Sequence, residues 1–180
     1  MKTYIALIRG INVGGKSLLP MKKLITILEN LDLLNIKTYL QSGNVVFQSR
    51  AKNASQLSSE ICAGIKKSHG FEPQVLLLEL TEMEKAAESN PFPEAESEPR
   101  TLHLFFLASA PSNPDLKTLE SLKSGSERFV LKGNVFYLHA PDGLGRSKLA
   151  ANAERRLGIP MTGRNWRTVC EILAMAKEYY

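Results

Sequence analysis

The sequence predicts an α+β protein of two tandem βαββαβ halves, with mainly antiparallel sheets and a C-terminal helix. Three observations carry this expectation. Tyr39 to Gln48 (Y-L-Q-S-G-N-V-V-F-Q) and Phe129 to Leu138 (F-V-L-K-G-N-V-F-Y-L) repeat one pattern, two apolar-rich runs around Gly-Asn. Glycine first in a two-residue turn suits a type II′ hairpin, because Gly43 and Gly133 take φ > 0 without a Cβ penalty. The elements flanking each hairpin also come in the same order, as a duplicated sequence requires. Finally, Ser89 to Arg100 contains Pro91, Pro93, Pro99, Glu94, Glu96 and Glu98, and reads as a linker without regular structure. The expected division is 1–88, an acidic linker 89–100, and 101–180.

In the first half, Tyr4 to Arg9 reads as a strand, followed by a glycine-rich loop. A helix starts near Pro20, with Leu24, Ile27, Leu28 and Leu31 along one face. The first hairpin comes next. A second helix runs from about Ala54 to Ser68, with Leu57, Ile61 and Ile65 at spacing four, and Val75 to Leu80 is a strand. Thr81 then caps a short helix, with Glu84 completing a capping box. In the second half the strand is Leu102 to Ala108 and the first helix Asp115 to Leu122. The second hairpin precedes a helix from Ser147 to Leu157, a short strand Met161 to Arg164, and a last helix from Asn165 to about Lys177. Its predicted inner stripe is Trp166, Val169, Cys170 and Leu173. βαββαβ is the order of the ferredoxin-like plait, so the expectation is two ferredoxin-like subdomains.

A chain of 180 residues, 43% hydrophobic and 23% charged, can bury a core and is ordinary for a globular protein. No apolar run approaches the roughly 20 residues that cross a bilayer. Tyr4 to Ile8, ended by Arg9, is too short for a secretory segment, so the expected setting is the cytoplasm, without a membrane partner. Cys62 and Cys170 form no C-x-x-C pair, fall on helical apolar faces, and are expected as buried free thiols. The net charge of +5 is uneven. Residues 1–80 carry ten basic and five acidic side chains, residues 81–100 two and six, residues 101–180 eleven and seven. Two basic halves thus flank an acidic connector. That balance favours phosphate-bearing partners, although solubility alone accounts for a charge this modest.

Gly10 to Ser17, G-I-N-V-G-G-K-S, fits the phosphate-loop pattern G-x-x-x-x-G-K-[ST] at every required position. Such a loop wraps phosphates in backbone N–H groups at the start of a helix, its lysine reaching the outer phosphates. Three features mark the match as accidental. Pro20 marks the first helical turn; a helix starting at Gly15 or Lys16 would carry that proline in its second turn, where it is costly. The chain has three aspartates, Asp32, Asp115 and Asp142, and none ends a strand where a metal is organised. The phosphate-loop fold needs a parallel sheet, whereas two hairpins give antiparallel ones. What survives is a loop of Gly10, Asn12, Gly14, Gly15 and Lys16 ahead of a helix. It either holds an anion or simply lets the chain turn.

Arg9, ending the first strand beside that loop, faces either a site or a carboxylate. Pro141 to Lys148 (P-D-G-L-G-R-S-K) is a second glycine-rich loop, placing Arg146 and Lys148 at a helix start where cations oppose the dipole. In Thr162 to Thr168 (T-G-R-N-W-R-T), Arg164 and Arg167 bracket Trp166, and Asn165 is placed to cap the helix. Arginine beside an aromatic can clamp phosphate and stack on a base; equally, Trp166 can lead the last helix into the core. Lys132 to His139 keeps only the basic residue, the glycine and one aromatic of the RNA-recognition pattern, so these sheets are expected to bury their aromatics. His69, His103 and His139 lie in separate elements with no metal spacing, so neither a metal nor a cofactor is expected.

Leu7 to Gly15 (L-I-R-G-I-N-V-G-G), Tyr39 to Phe47 (Y-L-Q-S-G-N-V-V-F) and Gly163 to Thr168 (G-R-N-W-R-T) resemble the hallmark stretches of a bacterial family, domain-of-unknown-function family 1697. The resemblance spans nearly the whole chain. It implies two tandem ferredoxin-like subdomains and no established activity, substrate or cofactor. It also implies that Ser17 is not a fixed Ser/Thr position, which makes the phosphate-loop match a coincidence of this chain. Carried over by position, it marks Arg9, Gly10, Asn12, Gly14 and Gly15; Gln41, Ser42, Gly43 and Asn44; and Arg164, Asn165, Trp166 and Arg167. Two functional expectations stand. One is a non-catalytic binder of a phosphorylated ligand or nucleic acid, through Arg9, Asn12, Gly14, Gly15, Lys16, Arg164, Asn165, Trp166 and Arg167. The other is an enzyme acting on a phosphorylated or nucleotide small molecule.

Overall fold

The pairing of β-strands follows the two hairpins. In a computed structural model describing residues 1–179, the first half runs β1 (Lys2–Arg9), α1 (Met21–Glu29), β2 (Leu34–Tyr39), β3 (Asn44–Ser49), α2 (Ala54–His69) and β4 (Gln74–Glu79). After α3 (Leu80–Glu88), the second half repeats the order: β5 (Leu102–Leu107), α4 (Leu116–Leu122), β6 (Arg128–Lys132), β7 (Val135–His139), α5 (Lys148–Leu157), β8 (Met161–Asn165). The chain closes with α6 (Trp166–Lys177). The sheets are β2-β3-β1-β4 and β6-β7-β5-β8, antiparallel at every pair. This is the βαββαβ plait expected from the sequence. One unit comprises Met1–Lys85 and the chain from Glu171; the other is Ala86–Cys170.

In the first unit, Tyr4, Ala6 and Ile8 of β1 meet Leu24, Ile27 and Leu28 of α1 and Leu57, Ile61 and Ile65 of α2. Alternate residues of a strand share a face, so one face of β1 feeds this core. Tyr4 to Ile8 are all buried, so both faces of the strand are withdrawn from solvent. Asn53 caps α2 by accepting from Gln56 N, and Gly70 ends it in the left-handed region. In the second unit, Phe136 stacks on Phe129 at 5.4 Å within a core of Leu107, Leu119, Leu138, Leu149 and Leu157. Asp115 and Ser147 cap α4 and α5 through Thr118 N and Ala150 N.

Four local expectations are corrected. The second hairpin has its two-residue turn, with Gly133 at φ +57° between paired Lys132 and Val135. In the first, Tyr39 pairs with Asn44, so the loop holds four residues, Leu40 to Gly43. Its width follows from Asn44, which is fully buried and donates its side-chain amide to Tyr39 O and Ser42 Oγ. α3 starts at Leu80, and Glu82 rather than Glu84 reaches back, accepting from Glu79 N at 2.7 Å; Glu84 pairs with Lys177. The acidic proline-rich stretch does form regular structure, a 3₁₀ turn over Pro93–Ser97 opened by the fixed φ of its proline. The inner stripe of α6 is Trp166, Val169, Ile172 and Ala176, which leaves Cys170 exposed; Cys62, on α2, is half-buried. Cys62 donates its thiol to Pro73 O, and burial pushes that thiol up.

Candidate functional site

Residues 12–17 form a miniature hairpin. Val13 bridges Lys16, whose N–H donates to Val13 O at 3.2 Å, while Asn12 N donates to Ser17 O at 3.1 Å. Gly14 and Gly15 make the tip at φ +60° and +72°, the pair of positive values a type I′ turn needs. Ser17 also lies at φ +51°. The base of this finger is pinned by Ile11 and Leu19, both buried, and by the Asn12 side chain. Asn12 Oδ1 accepts from Leu19 N, and Nδ2 donates to Leu19 O and to Gln41 O, all within 2.9 Å. Those bonds tie the finger to the first hairpin loop, so the structure brings the first two sequence stretches together. Beyond the base everything is exposed: Val13 at 67%, Gly14, Gly15, Lys16, and Leu18 at 63%.

This geometry explains why the phosphate-loop match lacks its mechanism. The N–H groups of Asn12 and Lys16 are turned onto the loop's own carbonyls. The helix starts at Met21, after an irregular Ser17 to Pro20 connection. The sheet beside it is antiparallel.

Arg9 ends β1 opposite Gln74, to whose side chain it donates at 3.2 Å. Beside it, Ile8 N donates to Gly43 O at 2.7 Å, an approach so close that a Cβ on Gly43 would stand 2.6 Å from Ile8 O. Gly43 therefore joins the loop to β1 where no other residue fits. Sequence reading did not find Leu19 and Gln41 as partners of Asn12; each contributes backbone only, which no side-chain pattern betrays.

The third stretch lies in the second unit. Arg164, on β8 opposite Leu104, donates to Thr162 Oγ1 and Gly163 O, and burial pulls its guanidinium down to about 10. Asn165 caps α6 by accepting from Thr168 N, Trp166 is buried, and Arg167 is exposed. Trp166 thus follows the core alternative. The second glycine-rich loop borders an open cleft of about 610 Å³ lined by Lys123, Ser124, Glu127, Asp142, Arg146 and Lys148 among others. Its carboxylates are held by neutral donors, Glu127 by Ser124 N and Asp142 by Ser126 Oγ. The signal for Glu127 was the capping-box spacing Ser124-x-x-Glu127.

The aromatics of β3 and β7 are interior. Phe47, Phe136 and Tyr137 are buried, and Tyr137, its hydroxyl pushed up to about 12 by burial, donates to Ala86 O. They offer no stacking platform of the RNA-recognition kind. Among the described residues, no group of three or more His, Cys, Asp or Glu is placed to hold a metal ion, and no helix is long and apolar enough to cross a membrane.

The fold and this loop pair define a small α+β protein carrying an exposed, hydrogen-bonded glycine finger on a plait. The chain belongs to the family described as "Protein of unknown function (DUF1697)", matched over residues 1–137. Gly163 to Thr168 lies beyond the matched residues. No curated protein matches the chain. Among solved structures it is similar to the conserved bacterial protein SP0830 from Streptococcus pneumoniae, at 27% identity over 97% of this chain and 98% of that one, with a TM-score of 0.66.

Proposed function

We propose that this protein is a non-catalytic cytoplasmic binder of phosphate-bearing ligands, nucleic acid foremost, with the glycine finger as its contact element and the two plaits as products of duplication. The observation that carries this reading is the charge around the finger. Residues 9–28 hold four basic side chains, Arg9, Lys16, Lys22 and Lys23, and no acidic one. Lys22 and Lys23 occupy the first turn of α1, which has no side-chain cap and no acidic residue to offset the dipole. An anion at Lys16, Lys22 and Lys23 relieves that opposition. In this reading Gly14, Gly15 and Lys16 make the contact, Asn12 positions them and Arg9 flanks them; exposed Arg167, next to the capping Asn165, is a separate candidate contact on the second unit. Phosphate contacts of this kind position a strand without reading its sequence.

Filter binding of single-stranded DNA and RNA across a salt series tests it. With three lysines engaged, log K should fall against log salt with a slope of about −2. K16A/K22A/K23A should flatten the slope towards zero. Absence of binding at low salt ends the nucleic-acid form. An enzyme acting on a phosphorylated small molecule is the second reading, favoured by the cleft beside Arg146 and Lys148, whose volume is within the range of ligand sites. A rise in melting temperature with millimolar nucleotide, abolished by R146A/K148A but not by K16A, would support that reading instead.

A further inference from the structure

We propose that Ala86 to Ser97 is an acid-released strap, held on the second sheet by a clasp in which neutral His139 accepts a hydrogen bond from Arg128. Side chains of β6 and β7 hold the strap at successive points. Tyr137 donates its hydroxyl to Ala86 O and Lys132 Nζ donates to Ser89 O, both at 2.7 Å. Arg128 donates to the Glu94 carboxylate and spreads its guanidinium over the Phe92 ring, 4.8 Å from the centroid. Phe92, 5% exposed, also lies 6.2 Å from the His139 ring.

The clasp turns on one lone pair. Arg128 and His139 are direct cross-strand partners, and Arg128 Nη2 lies 3.0 Å from His139 Nδ1. A guanidinium only donates, so Nδ1 is the acceptor and the ring proton sits on Nε2. Protonating His139 fills that lone pair and sets a second positive charge against Arg128. The charged groups facing His139 are Arg128 on β6, Glu94 on the strap and Glu98 just after it; Phe92 and the paired Leu102 are apolar. The two glutamates favour the imidazolium, while partial burial, the largest effect, and Arg128 oppose it and prevail, holding His139 below its ordinary value of 6.5. Opening the strap relieves the burial of His139, the largest of these effects, so the open form binds the proton better. Acid therefore favours the open strap, with the effect absent above 6.5 and growing as pH falls towards the closed-state value. Opening frees Phe92, Glu94 and Glu96.

Deuterium uptake of peptides covering 89–97, measured on the full chain between pH 8 and 5 and corrected for intrinsic exchange, tests the clasp. Uptake in the wild type should rise several-fold as pH falls through 6.5. His139→Gln keeps an acceptor for Arg128 but cannot titrate, and its uptake should stay flat. Glu94→Gln should raise uptake at every pH. Parallel rises in wild type and His139→Gln, or no change in the wild type, overturn the proposal. Should His139→Gln misfold, an NMR titration of wild-type His139 decides: a midpoint below 6.5 supports the clasp, an ordinary midpoint refutes it.

Discussion

Replacing Gly43 by alanine isolates the contact that joins the first hairpin loop to β1. Gly43 sits at φ +79°, and an added Cβ would meet Ile8 O at 2.6 Å, Ile8 Cβ at 2.8 Å and Ile11 Cδ1 at 3.1 Å. The chain cannot back away freely, because Gly43 O accepts from Ile8 N at 2.7 Å. Positive φ in an L residue costs about 1–2 kcal/mol. Relieving the overlap costs about 1–3 kcal/mol, and stretching the buried hydrogen bond about 1 kcal/mol. The expected loss is about 3–6 kcal/mol, a large part of the roughly 5–15 kcal/mol that holds a typical protein folded. Gly15 supplies the control, since its φ of +72° is similar but nothing lies within 4 Å of an added Cβ. Gly15→Ala should therefore lose only the conformational part, about 1–2 kcal/mol. Urea denaturation of both variants, with slopes compared to confirm two-state behaviour, gives the difference directly. Equal losses in the two variants would refute the close-approach argument.

Asn12→Ala removes one acceptor and two donated bonds from the finger base, at about 1 kcal/mol each. Faster amide exchange over residues 13–18, with nucleic-acid affinity falling although Lys16 is untouched, is the expected result. His103 has a buried Nε2 without a partner, and burial holds its pKa below 6.5. The native state thus takes up fewer protons than the unfolded chain, so His103's contribution is fully present above pH 6.5 and is lost as pH falls through the native value. Urea midpoints between pH 8 and 5 should decline in the wild type and decline less in His103→Gln.

The elements legible in advance were those with strong periodicity or a cap within reach. Asp115 and Ser147, the residues at which the two helices were expected to start, stand one residue before them and cap them. The Lys132 to Val135 turn keeps the expected two residues, with Gly133 at φ +57°. The first hairpin carries the same Gly-Asn, but buried Asn44 spends its amide on Tyr39 and Ser42 and opens the loop to four residues. Sequence cannot separate the two cases, since they differ in what the asparagine touches. Cys170 was misplaced because a stripe at spacing three and four can be drawn through either Cys170 or Ile172; packing chose the latter. At the candidate site, Lys16 and the glycines were visible as residues. Their miniature hairpin was hidden by a pattern that names the same letters for a different geometry.

The first plait is not a contiguous stretch of chain. Its sheet carries Lys37 paired with Glu178 and Gln48 donating to Tyr179 O, contacts that join residues 141 and 131 positions apart. A fragment ending near Lys85 would leave that edge of the sheet bare.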